Sequence, residues 1–249
     1  MTSSDPGDEI RLDIDGTFAV VTIDRPARRN ALNLAALDAL DARLDDAEAA
    51  GVRCLAITGA DGHFCAGADL TELEDLSFTL RLREVLDHLA GVSIPTFAAI
   101  EGSCMGLGMQ LALACDVRFA SADAKFAVPV AKLGLMVDQW TLRRLAEAWG
   151  QGAARLMVLG AEVYGTDDAL RHGFVQRVGT LEDVRAIAAR VAGLAPLSIS
   201  GSKLGLDLIA RGVIPAGLLN GLKARLLLAF ALRAGWEPET IRAAIAAYG

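Results

Sequence analysis

IPTFAAIEGSCMGLGMQLALACD, residues Ile94 to Asp116, decides how this chain is read. An apolar run, Ile94 to Ile100, passes into small residues and then into a second apolar run that can be helical. Gly102, Gly106 and Gly108 let the backbone turn tightly and come close to a ligand. A helix beginning near Gly108 would aim its unpaired N–H groups back into that loop. A second stretch has the same form: Gly62-His63-Phe64-Cys65-Ala66-Gly67-Ala68-Asp69-Leu70, which follows the apolar run Val52 to Thr58. Two such loops, arriving from separate parts of the chain, can place two backbone N–H donors on one ligand oxygen, as in an oxyanion hole. By pattern alone, the same glycines also fit two ordinary strand–helix turns.

Around these loops, strand and helix patterns alternate. Ile10 to Ile14 and Phe18 to Ile23 predict a hairpin about Asp15-Gly16, a pair that tolerates the positive φ of a tight turn. Pro26 stops strand continuation, and Asn33 is placed to cap a helix over Leu34 to Ala50, with Leu34, Leu37, Leu40 and Leu44 on its apolar face and Gly51 ending it. Helices are expected over Leu70 to Ala90 and Gly108 to Cys115. Short strands are expected at Thr96 to Ile100, Val117 to Ala120 and Lys125 to Val128. Such alternation argues for an α/β protein of stacked β-β-α units. Beyond Asp138 the pattern is mostly helical: Trp140–Ala148, Ala153–Leu159, Thr166–His172 with Thr166 as cap, 181–194, 199–210, 215–233 and 238–248. Phe174 to Val178 is an isolated strand.

The 249 residues are 53% hydrophobic and 22% charged, enough for a sizeable core. A formal net charge of −7 argues against a nucleic-acid partner. The four cysteines, Cys54, Cys65, Cys104 and Cys115, form no C-x-x-C pair and lie in apolar runs, so buried thiols are expected and a disulfide scaffold is not. The polar, acidic start MTSSDPGDEIR is no secretory signal. The most apolar stretch is broken by Glu101, Ser103 and Gln110 too soon for a membrane span. These features predict a cytoplasmic protein. The three histidines, His63, His88 and His172, share no metal-ligand spacing, so no metal is expected.

FCAGADL followed by IPTFAAIEGSCMGLGMQLALACDVRFAS resembles the paired signature of the crotonase superfamily, the enoyl-CoA hydratase/isomerases. The likeness runs from about Ala19 to about Pro196 and fades over the last fifty or so residues. It is similar in particular to mycobacterial crotonase-like proteins that share the Gln and Asp-x-Trp pattern. The resemblance implies a right-handed spiral core over residues 1–195 with an acyl-CoA site, and a helical trimerisation region over 196–249. It implies a homo-trimer or hexamer, fatty acyl-CoA or enoyl-CoA as ligand, and no cofactor beyond the CoA moiety. The family's oxyanion donors fall on the N–H groups of Ala68 and Leu107.

The two glutamates by which hydratases of this family hold and activate water fall on Gln110 and Val130, so neither acid is present. An amide can hydrogen-bond but cannot relay protons near neutral pH, and valine can do neither. Asp138 stands where some dienoyl-CoA isomerases of the family carry an aspartate, and it is equally placed as the cap of the helix before Trp140. Arg28 and Arg29 lie where the family wraps the nucleotide end of CoA, with guanidinium groups suited to phosphate oxygens. An exposed basic turn is the alternative for that pair. Ala66, Asp69 and Leu70 match backbone positions that contact adenine or pantetheine, while Met105, Leu107, Val130, Met136 and Trp140 suggest an apolar acyl pocket. The expected function is therefore binding of fatty acyl-CoA thioesters in lipid metabolism, with little or no hydratase activity. The alternative is an active enoyl-CoA isomerase, or a slow hydratase, that uses Asp138 and the oxyanion hole.

Overall fold

The computed structural model describes residues 9–69 and 76–210. Two compact units are found, the first ending at Gly193 and the second beginning at Leu194. The first starts with β1 (Ile10–Asp15) and β2 (Phe18–Ile23), paired antiparallel with Asp15 opposite Phe18. The two-residue turn is thus Gly16-Thr17, one residue later than expected, because Gly16 is the residue that takes the positive φ of 59°.

Next come α1 (Leu34–Ala49), β3 (Cys54–Gly59), α2 (Leu76–Gly91), β4 (Thr96–Ile100), β5 (Ser103–Met105), α3 (Leu107–Ala114), β6 (Val117–Ala120) and β7 (Lys125–Ala127). They are followed by α4 (Gln139–Leu159), β8 (Tyr164–Gly165), α5 (Thr166–Arg171), β9 (Arg177–Val178) and α6 (Leu181–Ala192). The second unit holds α7 (Pro196–Ala210). The helices expected over 215–233 and 238–248, and the start of the one expected from Leu70, lie outside the described residues.

Two sheets organise the first unit. The larger has the order β1-β2-β3-β4-β6-β9, and every neighbour after the hairpin runs parallel. The smaller has the order β5-β7-β8, with β5 and β7 parallel. Isolated parallel bridges, Cys65 to Cys104 and Leu32 to Ala68, carry the second layer back toward the first loop. Each turn of chain thus adds one strand to each layer and then a helix, as stacked β-β-α units require.

Parallel strands covered on both faces read as unbroken apolar runs, and β3 and β4 are buried at almost every position. One face carries Phe18, Val20, Ala56, Phe97 and Phe119 against Val184 and Ala188 of α6. The opposite face carries Val21, Leu55, Ile57 and Ala98 in the core shared with α1, α2 and α3. In α1, Leu37, Leu40 and Leu44 are wholly buried, each worth about 1.5–3 kcal/mol relative to exposure. Asn33 caps that helix, its side chain accepting from the Ala36 N–H at 2.9 Å. Helix α4 joins the two expected segments across a kink at Gly150, whose φ of 77° is closed to ordinary residues. Thr166 is not a cap: it is the first residue of α5, behind Gly165, and its hydroxyl donates to the Ser121 carbonyl at 2.6 Å.

The outer seam of α1 and α2 is ionic. His88 of α2 meets Asp41 at 2.6 Å, with Glu48 at 3.5 Å and Asp45 at 3.8 Å, and Arg81 bridges Asp38 and Asp41. Burial alone would lower the His88 pKa, but the hydrogen bond to Asp41 and the charges of Glu48 and Asp45 outweigh it and raise the value above 6.5. A raised folded-state value means the protonated pair adds stability in full below pH 6.5 and loses it as pH climbs through the higher folded value. His88→Gln should therefore lower the melting temperature most below pH 6.5, and the gap to the parent should close as pH rises past the raised folded-state value, as a thermal-melt series would record. A gap independent of pH would show that His88 contributes by packing alone.

Candidate functional site

The two glycine loops lie side by side because their backbones bond as neighbouring strands. The N–H groups of Phe64, Cys65 and Met105 donate to the carbonyls of Glu101, Ser103 and Cys65 at 2.8, 2.9 and 2.9 Å. The approach needs glycine. A Cβ on Gly102 would stand 2.2 Å from the Gly62 carbonyl oxygen, and one on Gly108 would stand 2.3 Å from that of Cys65. Gly67 and Gly106 lie side by side, since a Cβ on Gly106 would lie 3.9 Å from the Gly67 Cα, at ordinary contact distance. The residues that follow them are Ala68 and Leu107.

Gly106, with φ 51° and ψ −110°, is the N-cap of α3 and has no side chain to satisfy that helix end. The Leu107 N–H at the first helical position therefore has no intrahelical acceptor. Among the described residues, neither it nor the Ala68 N–H donates a hydrogen bond. At the other end of α3, Arg118 donates to the carbonyls of Ala112 and Cys115 at 3.1 and 2.8 Å, and Arg144 to that of Leu113 at 3.0 Å. Cations at the C-terminus complement the helix dipole, whose positive end faces the loop.

One turn into α3, Gln110 is only 7% exposed. Its Nε2 donates to the Thr141 hydroxyl at 2.7 Å and reaches Asp138 Oδ2 at 3.4 Å. Asp138 is the N-cap of α4, accepting from the Thr141 N–H at 2.8 Å and from the Thr141 hydroxyl at 3.1 Å. The capping role is thus present. Asp138, Gln110 and Thr141 form a single network between α3 and the start of α4.

The apolar positions divide. Val130 opens a 3-10 turn and packs, half-buried, against the core, as does Trp140. The Trp140 ring is held between the guanidinium groups of Arg83 and Arg144, at 4.1 and 4.6 Å from its centroid. Met105 is half-buried beside the second loop. Met136, 94% exposed, lies outside this packed group in the single chain, because residues 131–136 loop away from the core.

Arg28 ends a 3-10 turn begun by Pro26, and Arg29 follows with a left-handed φ of 49°. Both are exposed, and neither is held in an ion pair among the described residues. Their turn is tied to the first loop: Ala66 N–H donates to the Arg29 carbonyl at 3.0 Å, Leu32 N–H to Gly67 at 2.9 Å, and Asp69 N–H to Leu32 at 2.7 Å. Arg25 points inward instead, against Glu9 at 2.7 Å and the Ala31 carbonyl, with Asp69 at 3.9 Å. Leu70 lies outside the described residues.

The sequence reading does not single out two residues that make this arrangement. Asn30 is fully buried with φ 60°. Its amide donates to the Ala60 and His63 carbonyls at 2.9 and 2.5 Å, and its oxygen accepts from the Arg25 N–H at 2.9 Å. It locks the arginine turn to the first loop. An asparagine beside a helix cap carries one local signal, its tolerance of left-handed backbone. Thr141, also fully buried, carries none. All four cysteines are buried free thiols, and burial pushes Cys54 up to about 11 and Cys65 to about 12, so these two are not nucleophiles near neutral pH. No described helix is long and apolar enough to cross a membrane.

Residues 13–196 match the family model described as enoyl-CoA hydratase/isomerase. The chain is 41% identical over 188 residues to the Mycobacterium tuberculosis protein named "Probable enoyl-CoA hydratase echA6", covering 74% of this chain and 77% of the relative. It is 34% identical over 219 residues to the 2,3-dehydroadipyl-CoA hydratase of Escherichia coli, covering 84% and 86%. Among solved structures, DspI of Pseudomonas aeruginosa superposes with a TM-score of 0.83 at 29% identity, covering 92% of this chain and 98% of that one.

Proposed function

The chain belongs to the enoyl-CoA hydratase/isomerase family, and from that premise we propose that it binds fatty acyl-CoA thioesters while performing little or no hydration. The observation that carries this reading is the Gln110 amide, tied to Thr141 and Asp138 where a hydratase needs a proton-relaying acid. Val130, at the other acid position, is an aliphatic side chain packed on the core. The free N–H groups of Ala68 and Leu107 supply the grip on the thioester carbonyl. The exposed pair Arg28 and Arg29 supplies the contact to CoA phosphates, and the half-buried Met105, Val130 and Trp140 receive the acyl chain. The working protein in this reading is a cytoplasmic homo-trimer or hexamer in lipid metabolism, assembled through residues 196–249, with CoA as the only cofactor group.

Calorimetric titration with acyl-CoA, followed by spectrophotometry of crotonyl-CoA and a 3-enoyl-CoA, tests the proposal. Binding without turnover supports it. Turnover of the 3-enoyl thioester that Asp138→Asn abolishes would replace it with the isomerase reading, and absence of binding would end it. Arg28→Glu should weaken a CoA thioester about tenfold or more while barely changing its pantetheine analogue, since charge-assisted bonds to phosphate are worth roughly 1.5–3 kcal/mol. Equal weakening of the two would remove the phosphate contact from the proposal.

A further inference from the structure

Gln110 has two polar ends, and the fold disposes of only one. Asp138 Oδ2 accepts hydrogen bonds and cannot donate them when ionised, so the end of Gln110 that meets it must be the NH2 group. The Thr141 hydroxyl agrees. Its single proton goes to Asp138 at 3.1 Å, leaving its lone pairs to accept from Gln110 at 2.7 Å. The amide is therefore fixed in one of its two flips by chemistry. Its carbonyl oxygen has no partner among the described residues and is not one of the sealed, unsatisfied side-chain atoms, so the small exposed part of this buried residue includes that oxygen. Helical side chains lean toward the N-terminus of their helix. Gln110, three residues after Leu107, thus leans toward the end where the unpaired Leu107 N–H stands.

We propose that Thr141 is a positioning residue which, with Asp138, holds the Gln110 carbonyl oxygen outward as an acceptor and so makes the site prefer acyl thioesters carrying a hydroxyl near the carbonyl over the same chain without one. The inference rests on the acyl-CoA reading above and adds a specificity to it. A hydroxyl donates to the free oxygen, whereas a plain methylene desolvates it and offers nothing. The expected preference is about three- to tenfold, the size of one uncharged hydrogen bond.

The test is calorimetric titration of the full chain with 3-hydroxydecanoyl-CoA and with decanoyl-CoA. The parent should bind the hydroxy thioester the tighter by that factor. Thr141→Val, which keeps the side-chain shape but not the hydroxyl, should erase the preference, Thr141→Ser should retain it, and Gln110→Leu should erase it. A merely structural Thr141 would shift both affinities together and leave their ratio intact, which overturns the proposal. Equal binding of the two ligands by the parent also overturns it while leaving the acyl-CoA reading standing. Failure of both to bind sinks the acyl-CoA reading itself.

Discussion

The double variant Gln110→Glu with Val130→Glu is expected to hydrate crotonyl-CoA at least about 10²-fold faster than the parent chain, since each positioned acid or base typically contributes roughly 10²–10⁴-fold. The scaffold for that gain is in place. The two loops are bonded edge to edge, and the N–H groups after Gly67 and Gly106 donate no hydrogen bond among the described residues. Position 110 lies one turn into the helix that carries one of those donors, and position 130 begins a short 3-10 turn on the core's edge.

The gain should carry its own pH signature. The carboxylate introduced by Gln110→Glu would lie against Asp138 Oδ2, which the native amide approaches at 3.4 Å. Two carboxylates that close cannot both ionise freely, so one of the pair should titrate at a raised pH. Activity that needs one protonated and one ionised acid should then fall on both sides of an optimum. Asp138→Asn added to the double variant should flatten the limb that comes from this pair. A double variant that binds acyl-CoA yet turns over crotonyl-CoA no faster than the parent would show that acids at these two positions do not limit hydration by this chain.

Gly108→Ala should be among the most damaging single methyls in the first unit, costing about 3 kcal/mol of stability, at the upper end for overpacking. Its Cβ would lie 2.3 Å from the Cys65 carbonyl oxygen and 3.0 Å from the Cys65 Cβ. Neither neighbour can yield easily, because Cys65 is buried and its backbone bonds both Ser103 and Met105. Relief has to come from moving α3 away from the first loop, which separates the two donors, so thioester affinity should fall by more than tenfold. Gly152→Ala is the control. It sits in α4 with no atom within 4 Å of the added carbon, and it should stabilise by roughly 0.4–1 kcal/mol. Denaturant melts of both variants, with calorimetry on the folded fraction, decide the matter. An unchanged affinity in a destabilised Gly108→Ala protein would uncouple loop spacing from binding.

What can be read in advance follows the range of the interactions. The apolar runs of β3 and β4 and the Asn33 cap depend on nearby residues, and all three stand where the pattern puts them. So does the break in α4 at Gly150, which separates the two helical patterns. β5 reads as loop because it is three residues long and exists only by pairing with Lys125–Ala127 and the Cys65 bridge. Thr166 has a cap's composition, but its hydroxyl is taken by a carbonyl forty-five residues earlier. The candidate site divides the same way. Glycines and donors follow from loop pattern and resemblance. The orientation of Gln110 depends on Thr141, thirty-one residues on, and that of the Arg28 turn on Asn30 reaching His63, thirty-three residues on.

Gly106 and Gly67 carry a last implication for how this molecule is interrogated. The groups they present belong to the peptide chain at Leu107 and Ala68, so a survey that trims every side chain to alanine tests neither: residue 68 is already alanine, and Leu107, buried in the core, would report lost packing instead. Neither result speaks to the N–H itself. Information has to come from replacing an amide with an ester at those two residues, which removes a proton without altering any side chain.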